Sequence, residues 1–331
     1  MADSSNPSTL HLQIKQIRWE ATDIYAFELV HPQGQALPAF SAGAHIDVHL
    51  GEGLIRQYSL SNDPQETPRY VIGVLRDEAG RGGSRTFTGH ARVGQLLKVS
   101  VPRNNFALAA NAQRTVLLAG GIGITPLKSM AHALSHAGAS FALHYCVRSD
   151  DRIAFKDELA ALPDTHFHVD GGDPSQGLDI AALLQTPQEG KHVYFCGPPG
   201  FMKACKAATA HWPASQVHAE HFQAPVADAP ASPNQAAAPS SVAGDGSFVA
   251  QIASTGQTIA VAAHQSLVDA LAGEGIAIAT SCISGLCGTC KVGYLSGDVE
   301  HNDHILGADE QSQCLTACVS RARSGVLVLD L

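Results

Sequence analysis

The chain has few charged and few aromatic side chains, and it lacks a long apolar run. Of its 331 residues, 15% are charged and 6% are aromatic, and the net charge is −9. A nucleic-acid-binding protein needs clusters of Lys and Arg, and the sequence has none. No segment reaches the roughly 18 consecutive apolar residues of a membrane-spanning helix. The start, MADSSNPSTLHLQIKQ, has no apolar core of a secretory signal. These absences argue against nucleic-acid and membrane binding.

Four of the eight cysteines follow a spacing that is specific for one kind of metal centre. In SCISGLCGTC, three cysteines are separated by four and then two residues, and a fourth follows after 27 more. This is the plant-type [2Fe–2S] pattern, in which four thiolates hold two irons. Gly285 and Gly288 allow the loop to bend around a cluster without Cβ clashes. The predicted ligands are Cys282, Cys287, Cys290 and Cys318.

Alternatives remain for this cysteine pattern. Zinc sites favour C-x2-C pairs, and scattered buried thiols are a second alternative. Cys314 is a minor alternative for the fourth ligand, although it comes four residues early. Cys146 and Cys205 occur in apolar or helical runs and are predicted to be buried thiols. Free thiols and the iron–sulfur pattern, without an export signal, favour a reducing cytoplasm.

Composition and periodicity divide the chain into four segments. Residues 1–110 contain short alternating runs separated by Gly and Pro, typical of an antiparallel barrel. Residues 111–222 alternate strand-like and helix-like runs, as in a doubly wound parallel α/β domain. Residues 223–246 are nearly all Ala, Pro, Ser, Gly and Asp and are predicted to be a linker. Residues 247–331 have the strand, helix and cysteine-loop order of a small β-grasp module.

The first segment carries a motif suited to a phosphate and a flat ring. Arg56 offers a permanent planar cation to a phosphate. Tyr58 supplies an aromatic face, and Ser59 supplies a short hydroxyl for a ring nitrogen. The backbone N–H groups of a Gly82-Gly83-Ser84 turn can hold an anion, and Arg81 adds a second cation.

Two glycine-rich loops follow strand-like runs in the second segment. One contains GGIGITP and the other contains CGPPG, and each leads into a helix-like run. Glycine allows close approach of the backbone to a pyrophosphate, and loops at the carboxyl ends of parallel strands form the ligand crevice of this topology. The candidate residues are Gly120, Gly121, Gly123, Thr125, Pro126, Cys196, Gly197 and Pro198.

Taken in order, these motifs resemble the phthalate dioxygenase reductase family, the one-chain reductases of two-component Rieske oxygenases; vanillate demethylase reductase is similar. The resemblance implies a multidomain fold: an antiparallel FMN-binding β-barrel, a doubly wound α/β NADH-binding domain and a C-terminal plant-type ferredoxin domain. It also implies electron transfer from NADH through FMN and the [2Fe–2S] cluster to the Rieske centre of a separate aromatic-ring or O-demethylating oxygenase. The family favours a monomer.

The resemblance also assigns roles by position. Arg56 and Ser84 are expected at the FMN phosphate, with Arg81 as a helper, and Tyr58 is expected against the isoalloxazine ring. Ser59 is expected near N5 of the flavin. The resemblance further places Thr125 and Cys196 near the nicotinamide, with Phe222 as the terminal aromatic that covers the flavin.

The choice of nucleotide rests partly on charge. FMN is favoured over FAD because its phosphate is doubly charged and two arginines are available, whereas no aromatic residue can be assigned to stack on an adenine. NADH is favoured over NADPH by the resemblance. Arg148 and Ser149 could meet a 2′-phosphate, whereas Asp170 and Asp173 would repel one.

Two other functions remain open on the residues alone. One is NADH-driven electron donation to another acceptor, such as a ferredoxin or a haem protein on a separate chain. The other is an iron–sulfur sensor without turnover, which the nucleotide motifs argue against.

Overall fold

The computed structural model forms two compact units, Met1–Phe222 and Gln223–Leu331. It describes residues 9–51, 54–80, 82–222, 246–280 and 282–331. Nearly all of the predicted linker, and Arg81, lie outside the described residues. Among the described helices, none has the length and apolar character needed to cross a bilayer.

The first half of the first unit is an antiparallel barrel sheet. Its strand order is β4-β3-β6-β1-β2-β5, and Leu60 pairs with Ile72 between the two outer strands. Alternate residues fill the inside; Ile46 and Val48, for example, are fully buried, as the period of two in HIDVHL predicts. The strands are β1 Thr9–Ala21, β2 Ile24–Val30, β3 His45–His49, β4 Ile55–Ser59, β5 Arg69–Leu75 and β6 Leu96–Ser100.

A helix begins within the predicted Gly-Gly-Ser turn, where the sequence pattern does not predict one. Helix α1 runs over Gly83–His90, and Gly82 before it has the left-handed φ of 81° that glycine tolerates. The run SRTFTGH has a single large apolar residue, so periodicity cannot reveal the helix. That residue, Phe87, stacks on Phe27 of the barrel at 4.4 Å between ring centroids. Tertiary packing therefore holds α1 in place.

The second half of the first unit is a five-stranded parallel sheet of order β11-β10-β7-β8-β9. The strand order reverses beside β7, so the loops after β7 and β10 border one crevice, where this topology binds ligands. The strands are β7 Arg114–Gly120, β8 Ser140–Val147, β9 Thr165–Val169, β10 Lys191–Cys196 and β11 Val217–Glu220. The helices are α2 Ile124–His136, α3 Lys156–Ala160, α4 Ile180–Leu183 and α5 Pro199–Ala208, with short 3-10 turns at Gly121–Gly123, Asp150–Arg152, Pro174–Gln176 and Ala214–Gln216.

The second unit is a mixed sheet of order β13-β12-β16-β14-β15 with one main helix, α6. Its first and last long strands, β12 and β16, pair in parallel. Ser266 caps α6 by accepting a hydrogen bond from the Asp269 amide at 3.1 Å. The elements are β12 Phe248–Ile252, β13 Thr258–Val261, α6 Leu267–Gly273, β14 Lys291–Glu300, α7 Ala308–Gln311, β15 Cys314–Thr316 and β16 Arg321–Leu329. The predicted multidomain fold of barrel, doubly wound sheet and ferredoxin-like module is confirmed.

Candidate functional site

The predicted phosphate-binding residues meet at the start of α1. A Cβ on Gly83 would lie 2.4 Å from the Arg56 Nε atom, so the absence of a side chain lets the guanidinium lie against the first turn. The first backbone N–H groups of a helix have no partner within the helix and attract anions. Ser84 Oγ accepts from the Asp77 amide at 3.1 Å, which leaves its own proton free to be donated. Arg56, Gly82, Gly83 and Ser84 thus form one cationic, donor-rich corner.

Tyr58 and Ser59 extend from this corner along β4. The Tyr58 ring lies 5.7 Å from that of Phe87, and burial raises the pKa of its hydroxyl, so Tyr58 stays neutral. Ser59 is only 4% exposed. Its Oγ donates to Glu220 Oε2 across 3.5 Å, a long hydrogen bond. Ser59 of the barrel therefore contacts Glu220 at the end of β11, in the α/β half of the same unit.

Glu220 is a site residue that the motif analysis missed. It is paired with Cys196 across the parallel strands β10 and β11. Desolvation raises the pKa of the Glu220 carboxyl to about 8, against a smaller opposing effect of the Ser59 hydrogen bond. Burial, with the Glu220 charge as a second cause, raises the pKa of the Cys196 thiol well above its usual range. A signal was present, because neighbouring parallel strands end side by side and Cys196 was already a candidate.

The two glycine-rich loops touch each other, and this contact requires glycine. A Cβ on Gly123 would lie 2.1 Å from the Cys196 carbonyl oxygen, and one on Gly120 would lie 2.9 Å from Pro198 Cδ. Gly197 packs against the backbone of Gly120 in the same way. The two loops therefore pack against each other at the carboxyl edge of the sheet, next to the N-terminus of α2.

Thr125 and Pro126 lie in the first turn of α2, as the motif predicts, but the threonine does not present a free hydroxyl. Its Oγ1 donates to the Ile122 carbonyl at 3.0 Å, and the residue is 1% exposed. A Cβ on Gly73 of β5 would lie 2.6 Å from the Thr125 methyl. Thr125 thus fixes the first turn of α2 against the barrel. Phe222, at the end of this unit, is 41% exposed.

The four predicted cluster ligands lie in the second unit as two pairs of thiols. The hydrogen bond from Cys282 lowers the pKa of Cys287, and the hydrogen bond from Cys318 likewise lowers the pKa of Cys290. The amides of Ser284 and Leu286 donate to Cys282 Sγ at 3.4 and 3.3 Å. Such N–H groups stabilise thiolates and tune a cluster.

This pairing fits a binuclear cluster better than a single zinc ion. A [2Fe–2S] cluster takes two cysteine sulfurs on each iron, whereas a structural zinc ion takes four around one centre. The loop bends through Ile283, Gly285 and Gly288, with φ of 51°, 69° and 70°. Cys314 lies apart on β15 and donates to the Glu310 carbonyl at 3.2 Å.

Comparison with protein-family models identifies two domains in this chain. The oxidoreductase NAD-binding domain matches residues 117–207, and the 2Fe–2S iron–sulfur cluster binding domain matches residues 250–323. The first match covers the two glycine-rich loops, and the second covers all four paired cysteines. The NAD-binding and [2Fe–2S] predictions are thereby confirmed.

Whole-chain relatives are also found. The chain is 48% identical to the reductase subunit of tert-butanol monooxygenase / tert-amyl alcohol desaturase from Aquincola tertiaricarbonis, covering 98% of this chain and 96% of that one. It is 48% identical to vanillate O-demethylase oxidoreductase from Pseudomonas putida, covering 94% and 96%. A solved phthalate dioxygenase reductase, described as a modular structure for electron transfer from pyridine nucleotides to [2Fe–2S], superposes with a TM-score of 0.71 at 39% identity and 98% coverage of both chains. On these matches, the chain is an oxidoreductase that belongs to the phthalate dioxygenase reductase family.

Proposed function

We propose that this chain passes electrons from NADH through FMN and its [2Fe–2S] cluster to the Rieske centre of a separate aromatic-ring or O-demethylating oxygenase. The observation that carries this proposal is the contact of Ser59 with Glu220, which is itself paired with Cys196. Glu220 thus links Ser59, the residue expected at the flavin N5, to the strand end that carries Cys196, the residue expected at the nicotinamide. Hydride transfer requires reacting atoms about 3–3.5 Å apart.

FMN, when bound, supplies the conversion of a two-electron hydride into the single electrons that the cluster accepts. Arg56 and the first turn of α1 would hold its phosphate, with Arg81 as a second cation, and Tyr58 and Ser59 would orient its ring. Among the described residues, no aromatic side chain is assigned to stack on the adenine of FAD. We assign the FMN domain to residues 1–110, the NADH domain to 111–222, the linker to 223–246 and the cluster domain to 247–331.

NADH is the proposed donor, with Gly120, Gly121, Gly123 and the α2 N-terminus receiving its pyrophosphate. Asp170 supports the preference for NADH over NADPH. Its amide donates to the Val147 carbonyl at 3.1 Å, so it stands at the carboxyl end of β8, near Arg148. A carboxylate there disfavours a 2′-phosphate. We further propose that the chain acts as a monomer in the cytoplasm.

One set of assays tests this function. Flavin released by heat should elute as FMN, and the purified holoprotein should reduce cytochrome c with a higher kcat/KM for NADH than for NADPH. Recovery of FAD would reject the assigned phosphate site, and a kcat/KM in favour of NADPH would reject the donor. A protein whose colour NADH does not bleach would be an iron–sulfur sensor rather than a reductase.

Glu220 should make flavin reduction depend on pH. With a pKa near 8 the Glu220 carboxyl is neutral at pH 7. Above pH 8 it ionises and repels negative charge arriving at the flavin. The rate of flavin reduction by NADH should therefore fall as the pH rises through about 8. Glu220→Gln, which cannot ionise, should lose this step. Glu189→Gln should keep it, because Glu189 is exposed and precedes β10, at the amino edge of the sheet. A step that persists in Glu220→Gln would assign the titration to another group.

The oxygenase partner should dock partly through charge. Residues 247–331 contain three basic and eight acidic side chains, a net charge of −5 within a chain of −9. Some of these acidic side chains have hydrogen-bond or ion-pair partners within the unit, whereas others are exposed and could face a partner. Asp303 accepts from the Ile305 and Leu306 amides, and Glu310 pairs with Lys291 at 3.0 Å. Asp298, Glu300 and Asp309 are exposed.

Coupled turnover with the oxygenase should therefore fall as salt rises well above about 0.15 M, where the Debye length drops below about 8 Å. Weak, steered encounters suit an electron donor that must also be released. Reduction of ferricyanide by NADH does not require docking and should change much less. Equal salt sensitivity of the two activities would contradict docking through the acidic residues.

A further inference from the structure

Lys128 is a buried cation on α2, one helical turn after Thr125. Its side chain is 3% exposed, and its Nζ atom lies 2.6 Å from Glu158 Oε2. Nζ also donates to the Ser61 carbonyl at 3.1 Å and lies 4.9 Å from the centroid of the Phe155 ring. Packing alone does not require this charge, since a leucine or methionine would also fill an interior position. Burying an ammonium is costly unless it is paired and hydrogen-bonded.

The partners of Lys128 connect the barrel with the α/β half of the first unit. Ser61 follows β4 by two residues and belongs to the barrel, and Glu158 lies on α3. Glu158 accepts from Arg18 of β1 at 2.8 Å through its other carboxylate oxygen. Burial would raise the pKa of Glu158, but Lys128 and Arg18 hold it below its usual value. The series of contacts Arg18–Glu158–Lys128–Ser61 therefore runs from β1 of the barrel to α3, then to α2, and returns to the barrel at Ser61.

This chain of contacts ends close to both halves of the proposed reaction site. Ser61 is two residues from Ser59, and its position is fixed because its Oγ and amide both donate to the Val71 carbonyl, at 3.0 and 2.8 Å. Thr125 is three residues before Lys128 on the same face of α2. The contact between Lys128 and Ser61 consequently ties the segment that follows Ser59 to α2, the helix with Thr125 in its first turn.

We propose that Lys128 is a positioning residue that sets the separation between the flavin and the nicotinamide by holding Ser61 and Glu158 together. The inference rests on the proposed function. The other charges near Lys128 have their own partners: Arg69 pairs with Glu66 and Glu28, both at 2.9 Å, and Lys15 pairs with Glu28 at 3.0 Å. Glu158 is thus the carboxylate that neutralises Lys128. Lys128 and Glu158 line an open polar cleft of about 100 Å3, together with Glu28, Glu66 and Arg69.

Loss of this contact should slow hydride transfer without weakening nucleotide binding. Lys128→Met keeps the length and apolar stem of the side chain but removes the ammonium, leaving the Ser61 carbonyl without its donor. Since a displacement of about 1 Å can cost 100-fold in rate, we expect the limiting rate of flavin reduction to fall at least about 10-fold. The apparent Kd for NADH and the FMN content should stay within about two-fold of wild type, because no Lys128 atom is assigned to either ligand.

A matched control removes another ion pair between the same two halves. Arg152 of the α/β half pairs with Asp23 at 3.5 Å, and both side chains are at least 40% exposed. Exposed pairs contribute little, so Arg152→Met should reduce flavin at the wild-type rate. Stopped-flow reduction with NADH and with 4-deuterated NADH measures the step directly. In Lys128→Met the isotope effect should reach its full value, because hydride transfer becomes the slow step.

The outcomes separate this inference from the function it rests on. If wild-type protein does not reduce its flavin with NADH, the proposed function fails. If wild type does and Lys128→Met equals it in rate, the positioning role fails, even if the melting temperature falls. Should Lys128→Met not fold, Glu158→Gln decides: it removes the charge that orients Lys128, and a slower hydride step at unchanged NADH Kd supports the role, whereas a wild-type rate overturns it.

Discussion

Replacing Cys290 with serine should abolish the [2Fe–2S] cluster and all electron transfer to the oxygenase, while NADH continues to bleach the flavin. Cys290 is paired with Cys318 and is 3% exposed. A serine hydroxyl is a poor substitute for a thiolate on iron. The proposed flavin and nicotinamide residues belong to the other compact unit, so we expect no change in flavin reduction. The cluster's absorbance and stopped-flow bleaching of the flavin measure the two effects.

Cys314 provides the matched control for this change. It precedes Cys318 by four residues, is half-buried and donates to the Glu310 carbonyl. Cys314→Ser preserves that donor and should retain the cluster and coupled turnover. Loss of the cluster in Cys314→Ser but not in Cys318→Ser would mean that Cys314, and not Cys318, is the fourth ligand. Loss of flavin reduction in Cys290→Ser would contradict the independence of the two units.

The cysteine pattern and the strands could be predicted because their signals are local. Four sulfurs at fixed spacing specify a cluster, and alternation of period two in HIDVHL or RYVIGVLR reflects one buried face of a sheet. Helix α1 could not be predicted in this way. It has eight residues and one large apolar side chain, and its position depends on Phe27, which lies 60 residues earlier in the sequence.

The residues that connect the motifs were not among those predicted from the sequence, although the neighbouring strand end at Cys196 was a signal for Glu220. Glu220 occurs in a strand-like run and Lys128 in a helix-like run, and a charged residue in such a run is ordinarily solvent-exposed. Each becomes informative only when the fold brings it to a partner distant in the chain, Ser59 for Glu220 and Ser61 for Lys128. The sequence motifs thus predict the residues that contact the cofactors. The tertiary structure was needed to find the residues that hold them in position.

Arg56→Ala should weaken FMN binding by about 100-fold, the second large effect expected. A charge-assisted hydrogen bond contributes about 1.5–3 kcal/mol, and 2.7 kcal/mol corresponds to about 100-fold in Kd. The remaining helix amides and Ser84 cannot replace a guanidinium facing a doubly charged phosphate. Apoprotein titrated with FMN, followed by quenching of flavin fluorescence, gives the Kd. Arg85→Ala is the control, because Arg85 lies on the same helix but is half-exposed and faces Glu78 at 3.7 Å; it should bind FMN within about two-fold of wild type.

Gly83→Ala tests whether the position of Arg56, and not only its charge, matters. The added methyl would lie 2.4 Å from Arg56 Nε, so the guanidinium must move, while the net charge and every other donor remain. FMN binding should weaken in the same direction as in Arg56→Ala, and the double variant should be no weaker than Arg56→Ala alone, since both changes remove one interaction. Additive losses would mean that Gly83 contributes separately, through the approach of the phosphate to the helix backbone. If Arg56→Ala bound FMN with wild-type affinity, the FMN phosphate could not bind at this corner.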